Sequence, residues 1–134
     1  MSPHVLIVDD TEDELQLLST VFKMVDPNIA IETVSNSAGV LGRLRDPAND
    51  LPKVILLDLR MPEKSGREVL AEIKADPRLK RTPVCIFSNG DLEADVRECY
   101  ELGAIFYFKK PMGLAALQAF IRNFNGLWFN AAIL

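Results

Sequence analysis

Short apolar runs alternate with segments of helical period along the chain. HVLIV at 4–8, IAIETV at 29–34, KVILL at 53–57, PVCIFS at 83–88 and AIFYF at 104–108 read as strands. The first, third and fourth are almost continuously apolar, as strands covered on both faces are. IAIETV alternates apolar with polar residues and reads as an edge strand. The intervening segments place apolar residues three and four apart, the spacing of one helix face. They predict helices near 12–25 (Leu15, Leu18, Phe22, Val25), 37–45 (Val40, Leu41, Leu44) and 65–75 (Val69, Leu70, Ile73). Two more fall near 91–102 (Leu92, Val96, Cys99, Leu102) and 113–125 (Leu114, Leu117, Ile121, Phe124). Glu93 and Arg97 stand one helical turn apart and predict an ion pair. Most prolines, Pro27, Pro47, Pro62 and Pro77 among them, fall between these elements or at their edges.

Five strand–helix units in this order predict an α/β fold: a doubly wound, five-stranded parallel sheet with right-handed crossovers. The expected strand order is 2-1-3-4-5, which makes the first and third strands neighbours at the switch point. Side chains just past the carboxyl ends of such strands share one crevice. Asp9 and Asp10 follow the first strand, Asp58 the third, Ser88 closes the fourth, and Lys110-Pro111 follows the fifth. Three carboxylates gathered together repel unless a cation joins them. The set therefore reads as a divalent-metal site with a reactive carboxylate, a hydroxyl and an ammonium beside it.

Composition narrows the function classes. A chain of 134 residues suits one domain, and its net charge of −4 offers no basic field for nucleic acid. The two cysteines, Cys85 and Cys99, form no C-x-x-C pair and read as buried, reduced thiols. His4, the single histidine, reads as a surface residue. The first apolar run meets two aspartates at once, so no signal peptide is expected, and no stretch approaches the roughly 20 apolar residues of a membrane span. A cytoplasmic location is the expectation. Gly126 is expected to end the last helix, leaving an uncharged tail that carries Trp128, Phe129, Ile133 and Leu134.

Together these residues resemble the receiver domain of two-component response regulators over about residues 4–125. The pieces are VDD at 8–10, LLDLRMP with Gly66, Ser88, ELGA at 101–104 and Lys110-Pro111. Each is weak alone; in this order and spacing, each at a strand end, they are specific. The resemblance implies a receiver domain at 1–126 with an apolar extension at 127–134. It implies that Asp58 accepts a phosphoryl group from a partner histidine kinase, with Mg²⁺ as cofactor. Asp10 and Asp58 would bind the metal directly, Asp9 would hold a metal-bound water, and the backbone carbonyl of Arg60 would add a ligand. Lys110 would neutralise the phosphoryl group, aimed inward by a cis bond to Pro111. Ser88 would move towards the modified aspartate and Tyr107 would turn in behind it, altering the face built by the fourth helix, fifth strand and fifth helix. Arg60 and Gly90 occupy two variable places beside the site, with Arg60 able to reach over it. The chain is similar to single-domain receivers paired with bacterial phytochromes, which implies a homodimer through the fifth strand, the fifth helix and the tail.

Other readings stay open on the residues alone. Asp9 or Asp10 could cap the first helix, Ser88 could start the fourth, and Tyr107 could serve packing only. The tail could fold back on its own helices. A hydrolase using Asp58 on small phosphoesters would want a second aspartate two places on, where Arg60 stands. A nucleotide or flavin binder would want a phosphate-cradling loop where Asp9-Asp10-Thr11-Glu12-Asp13 stands. The receiver reading implies self-modification rather than enzymatic turnover.

Overall fold

Every strand predicted from the apolar runs forms, and all five join one parallel sheet in the order β2-β1-β3-β4-β5. The computed structural model describes residues 4–130. The chain runs β1 (His4–Val8), α1 (Glu12–Val25), β2 (Ala30–Val34), α2 (Ser37–Arg45), β3 (Val54–Leu57) and α3 (Gly66–Ala75). It continues through β4 (Val84–Ser88), α4 (Glu93–Glu101), β5 (Phe106–Lys109) and α5 (Leu114–Asn125), then one π-helical turn at Gly126–Asn130.

The two-residue period of the strands divides the core. Ile55 and Leu57 of β3, with Val84 and Ile86 of β4, face a layer built from α2, α3 and α4 that includes Leu44, Leu70 and Cys99. Val54, Leu56, Cys85 and Phe87 face the opposite layer, where Phe22 of α1 and Ile121 and Phe124 of α5 pack. Each such leucine or phenylalanine contributes about 2 kcal/mol by leaving water. β1, β3 and β4 are buried along their whole length, whereas β2 is half exposed at one edge. Both cysteines are buried and free, and burial pushes the Cys85 thiol up to about 12.

Local chemistry fixes the helix ends. The Asn36 side chain accepts from Gly39 N at 2.6 Å and the Ser65 hydroxyl accepts from Glu68 N at 3.3 Å, capping α2 and α3. Gly103 ends α4 at φ 108°, a conformation that any side chain would strain. Glu93 and Arg97 form the predicted ion pair at 2.6 Å.

Several expectations need correction. Leu92 and Leu114 do not join the buried faces of their helices; they precede or open the first turn and are exposed. His4 is buried, not on the surface. β1 and β2 run in register with His4 opposite Ala30, which brings His4 Nε2 within 3.0 Å of Glu32 Oε1. Gly126 does not end the last helix: at φ −59° and ψ −40° it is helical, and the chain winds on to Asn130. Glycine disfavours helix by only about 1 kcal/mol, which packing of the next turn overcomes. Trp128 and Phe129 are half-buried against the α1–α5 layer, with the Trp128 and Phe124 rings 6.4 Å apart. Ile133 and Leu134 lie outside the described residues.

Candidate functional site: an acidic cluster at the carboxyl edge of the sheet

The site is built where β1 and β3 lie side by side. Asp58 N donates to Val8 O at 3.0 Å and Asp9 N to Val34 O at 3.2 Å, so the ladder continues one residue past each strand. That fixes where both carboxylates emerge. Asp9, Asp10 and Asp58 each place a carboxylate oxygen within 4.8 Å of the others. Asp9 and Asp58 are buried and Asp10 is exposed. An all-oxygen donor set of this kind fits a hard divalent cation such as Mg²⁺.

Beside Asp9 and Asp58 stands Lys110. Its backbone N–H donates to Ser88 O at 2.7 Å, which ties the end of β5 to the end of β4. Its ammonium lies 2.6 Å from Glu14 Oε1, 3.1 Å from Asp9 Oδ2 and 3.6 Å from Asp58 Oδ2. Among the described residues no peptide bond is cis, so Lys110-Pro111 is trans. Trans is the ordinary preference of an X-Pro bond by about 0.5–1 kcal/mol. The ammonium points inward nonetheless, drawn by three carboxylates.

The electrostatics follow from burial. Loss of water raises the Asp58 carboxyl from 3.8 to about 6; Lys110 and the Arg60 N–H pull it down, while Asp9 and Glu14 push it up. Burial alone would lower the Lys110 ammonium, but the bond to Glu14 and the charges of Asp58 and Asp9 outweigh it and hold it above the usual lysine range. Asp58 thus sits as a desolvated anion whose charge is only partly met, suited to accept an electrophile once cations neutralise the approach.

The remaining predicted residues converge here too. Arg60 N donates to Asp58 Oδ1 at 3.3 Å. A Cβ on Gly90 would lie 3.6 Å from Arg60 Nη2, so the exposed Arg60 side chain does reach across towards the β4–α4 loop. Ser88 is buried, and its hydroxyl accepts from Gly90 N at 3.3 Å. Tyr107 is already tucked beneath that loop, its hydroxyl donating to Gly90 O at 2.6 Å and its ring packed on the α2–α4 layer. Burial raises the Tyr107 phenol above its usual range, with the nearby Ser88 hydroxyl opposing it. Asp9 does not cap α1: the N-cap is Thr11, without a side-chain cap bond, and Asp9 Oδ1 instead accepts from Thr11 N at 3.0 Å in a turn ahead of the helix.

Glu14 was not foreseen. A carboxylate in the first turn of α1, directly after an acidic strand end, was the available signal; the first turn of a helix is also where acidic side chains sit for dipole reasons alone.

The sequence profile of the "Response regulator receiver domain" family matches residues 5–122. The chain belongs to the response regulator receiver family. This receiver is 31% identical over 134 residues to "Response regulator Rcp1" of Synechocystis sp., covering 97% of this chain and 91% of that protein. Among solved structures it is similar to the phosphorylated cyanobacterial phytochrome response regulator RcpA, with a TM-score of 0.89 and 33% identity. That match covers 100% of this receiver and 99% of RcpA. It is also similar to the Mn²⁺-bound form of Rcp1, at a TM-score of 0.85, 31% identity and coverage of 98% and 99%. The two structures are described as phosphorylated and metal-bound, states that concern those proteins.

Proposed function

We propose that this chain is a phytochrome-coupled response regulator in which Asp58 accepts a phosphoryl group from the phosphohistidine of a partner kinase. One observation carries the reading: Asp9, Asp10 and Asp58 gather their carboxylates at the carboxyl edge of the sheet, and the Lys110 ammonium stands 3.1 Å from Asp9 and 3.6 Å from Asp58. Asp10 and Asp58, with Asp9 through water and the Arg60 carbonyl, would hold Mg²⁺. Bound there, the cation supplies charge neutralisation for the phosphoryl oxygens. Likeness to a phosphorylated phytochrome regulator and to an Mn²⁺-bound one supports both assignments.

The chain's own residues divide the work. Asp58 attacks phosphorus through a carboxylate oxygen; a P–N bond breaks and a P–O bond forms, and the donor imidazole leaves. Lys110 meets charge on the transferred group, and the Ser88 hydroxyl donates to it. The chain catalyses only its own modification, since Arg60 stands where a phosphoester hydrolase wants its general acid.

The output face is α4-β5-α5. The phosphoryl group brings about −1.5 to −2 charges at neutral pH. Drawing Ser88 towards it pulls the β4–α4 loop, to which Tyr107 is bonded at Gly90 O. Tyr107 N in turn donates to Tyr100 Oη at 3.1 Å, joining β5 to α4. A second copy of this chain would dock on the open edge strand β5, α5 and the extension, where Phe108, Phe120, Phe124 and Leu127 line an apolar groove. The protein would work in the cytoplasm, with neither nucleic acid nor membrane as partner. Among the described residues no helix is long and apolar enough to cross a bilayer.

Intact-mass spectrometry after acetyl phosphate and Mg²⁺ tests the acceptor. Wild type gains one phosphoryl group and Asp58→Asn gains none; equal labelling of both refutes it.

A further inference from the structure

The Lys110 ammonium has its shortest contact with a carboxylate outside the acidic cluster. Glu14 Oε1 lies 2.6 Å away, against 3.1 Å for Asp9 Oδ2 and 3.6 Å for Asp58 Oδ2. Glu14 projects from the first turn of α1, and its side chain is 31% exposed while that of Lys110 is 7% exposed. The ammonium is therefore the buried partner and Glu14 the one that can turn out to water. The two closest carboxylates, Glu14 and Asp9, both come from the β1–α1 segment, whereas Asp58 follows β3. Of the three carboxylates, the acceptor is the one beyond ordinary hydrogen-bond reach of Lys110.

We infer that Glu14 is a positioning residue that holds Lys110 back from Asp58 in the resting protein and competes with the incoming phosphoryl group for the same ammonium. The inference rests on the acceptor assignment above. Phosphorylation then includes an exchange of ion pairs. Lys110 gives up the Glu14 contact to meet the new oxygens, and the Glu14 carboxylate rehydrates at the rim. The partial exposure of Glu14 makes the exchange inexpensive, because a freed carboxylate at that place regains water. A fully buried counter-ion would be left stranded without water. Glu14 thus sets how readily the phosphorylated state forms without touching phosphorus.

The test is beryllofluoride affinity at saturating Mg²⁺, followed through the Gly90 amide in ¹H–¹⁵N spectra. Beryllofluoride supplies a tetrahedral anion on the acceptor carboxylate without a covalent reaction. Glu14→Gln keeps the shape and removes the competing charge; it is expected to tighten binding about fivefold, the worth of one partly exposed ion pair. Asp13→Asn removes the same charge from the exposed adjacent position and is expected to change binding by less than about twofold, as a solvent-screened charge does. The ¹⁵N signal of the Lys110 ammonium, read before beryllofluoride is added, is expected to shift in Glu14→Gln and to stay in Asp13→Asn. Unchanged or weaker binding by Glu14→Gln, or equal tightening by Asp13→Asn, overturns the inference while leaving Asp58 as acceptor. Failure of the wild type to take up beryllofluoride removes the acceptor assignment and this inference with it.

Discussion

A Cβ built on Gly66 would lie 2.3 Å from the carbonyl oxygen of Asp58 and 2.7 Å from Leu59 Cα. The first residue of α3 is thus pressed against the backbone that presents Asp58. Gly66 N donates to Leu59 O at 3.0 Å, closing the β3–α3 loop over the same stretch. Both neighbours are backbone atoms, so a side chain there moves Asp58 itself.

Gly66→Ala is therefore expected to destabilise the fold by roughly 2 kcal/mol or more, as overpacking against an immobile neighbour does. It is also expected to slow acetyl phosphate labelling of Asp58 by tenfold or more, since a displaced nucleophile loses its alignment. Urea unfolding and intact-mass time courses check the two effects. Wild-type behaviour in both would mean that the loop relaxes freely.

Asp58 makes metal-free stability depend on pH in a particular direction. Its folded carboxyl titrates at about 6 against an ordinary 3.8. The folded state therefore binds more protons than the unfolded one across that interval, and unfolding free energy falls as pH rises through it. The shift corresponds to roughly 3 kcal/mol, fully lost above the folded value. In EDTA, the stability of wild type minus that of Asp58→Asn is expected to drop by that order between about pH 4 and 6. Excess Mg²⁺ is expected to shrink the drop. Chemical denaturation across the pH series measures it, and a flat difference would show that the carboxyl is not penalised by burial.

The Tyr107 hydroxyl bonds to Gly90 O and lies outside the carboxylate cluster. Tyr107→Phe is expected to cost about 1 kcal/mol of stability, the usual net worth of one hydrogen bond. Labelling of Asp58 by acetyl phosphate is expected to stay within about twofold, because the phenol bonds to Gly90 O and to neither Asp58 nor Lys110. Loss of labelling would place Tyr107 in the chemistry rather than in the link between the β4–α4 loop and β5.

Leu127 is 43% exposed at the rim of the groove beside Phe108, Phe120 and Phe124. Leu127→Asp puts a charge on the proposed contact between copies while leaving the core intact. Light scattering is expected to show a lower mass for the variant than for wild type at equal concentration. Equal masses would discard this surface as the dimer contact.

Much of this architecture was legible along the chain because the signals are local. Continuous apolar runs marked β1, β3 and β4 as covered on both faces, and alternation marked β2 as an edge. The order of the units, with right-handed crossovers, then placed Asp9, Asp10 and Asp58 together before any coordinates were known. Element ends were less legible. Leu92 and Leu114 have the helical spacing but sit where the helix has not yet turned them inward. Gly126 looked like a stop, and the aromatic packing of Trp128 and Phe129 carried the helix through it.

By itself the sequence determined the strand order and the acidic edge, because hydrophobic period and chain order suffice for those. Only the tertiary structure decided which carboxylates hold Lys110, that Glu14 is nearer to it than Asp58, and that His4 is buried beside Glu32. The Lys110–Asp9 contact joins residues 101 positions apart, and no periodicity within one element records such a pairing. Where an ammonium settles among several acids depends on ångström distances and on water excluded by the rest of the fold, and these exist only once the chain has closed around the site.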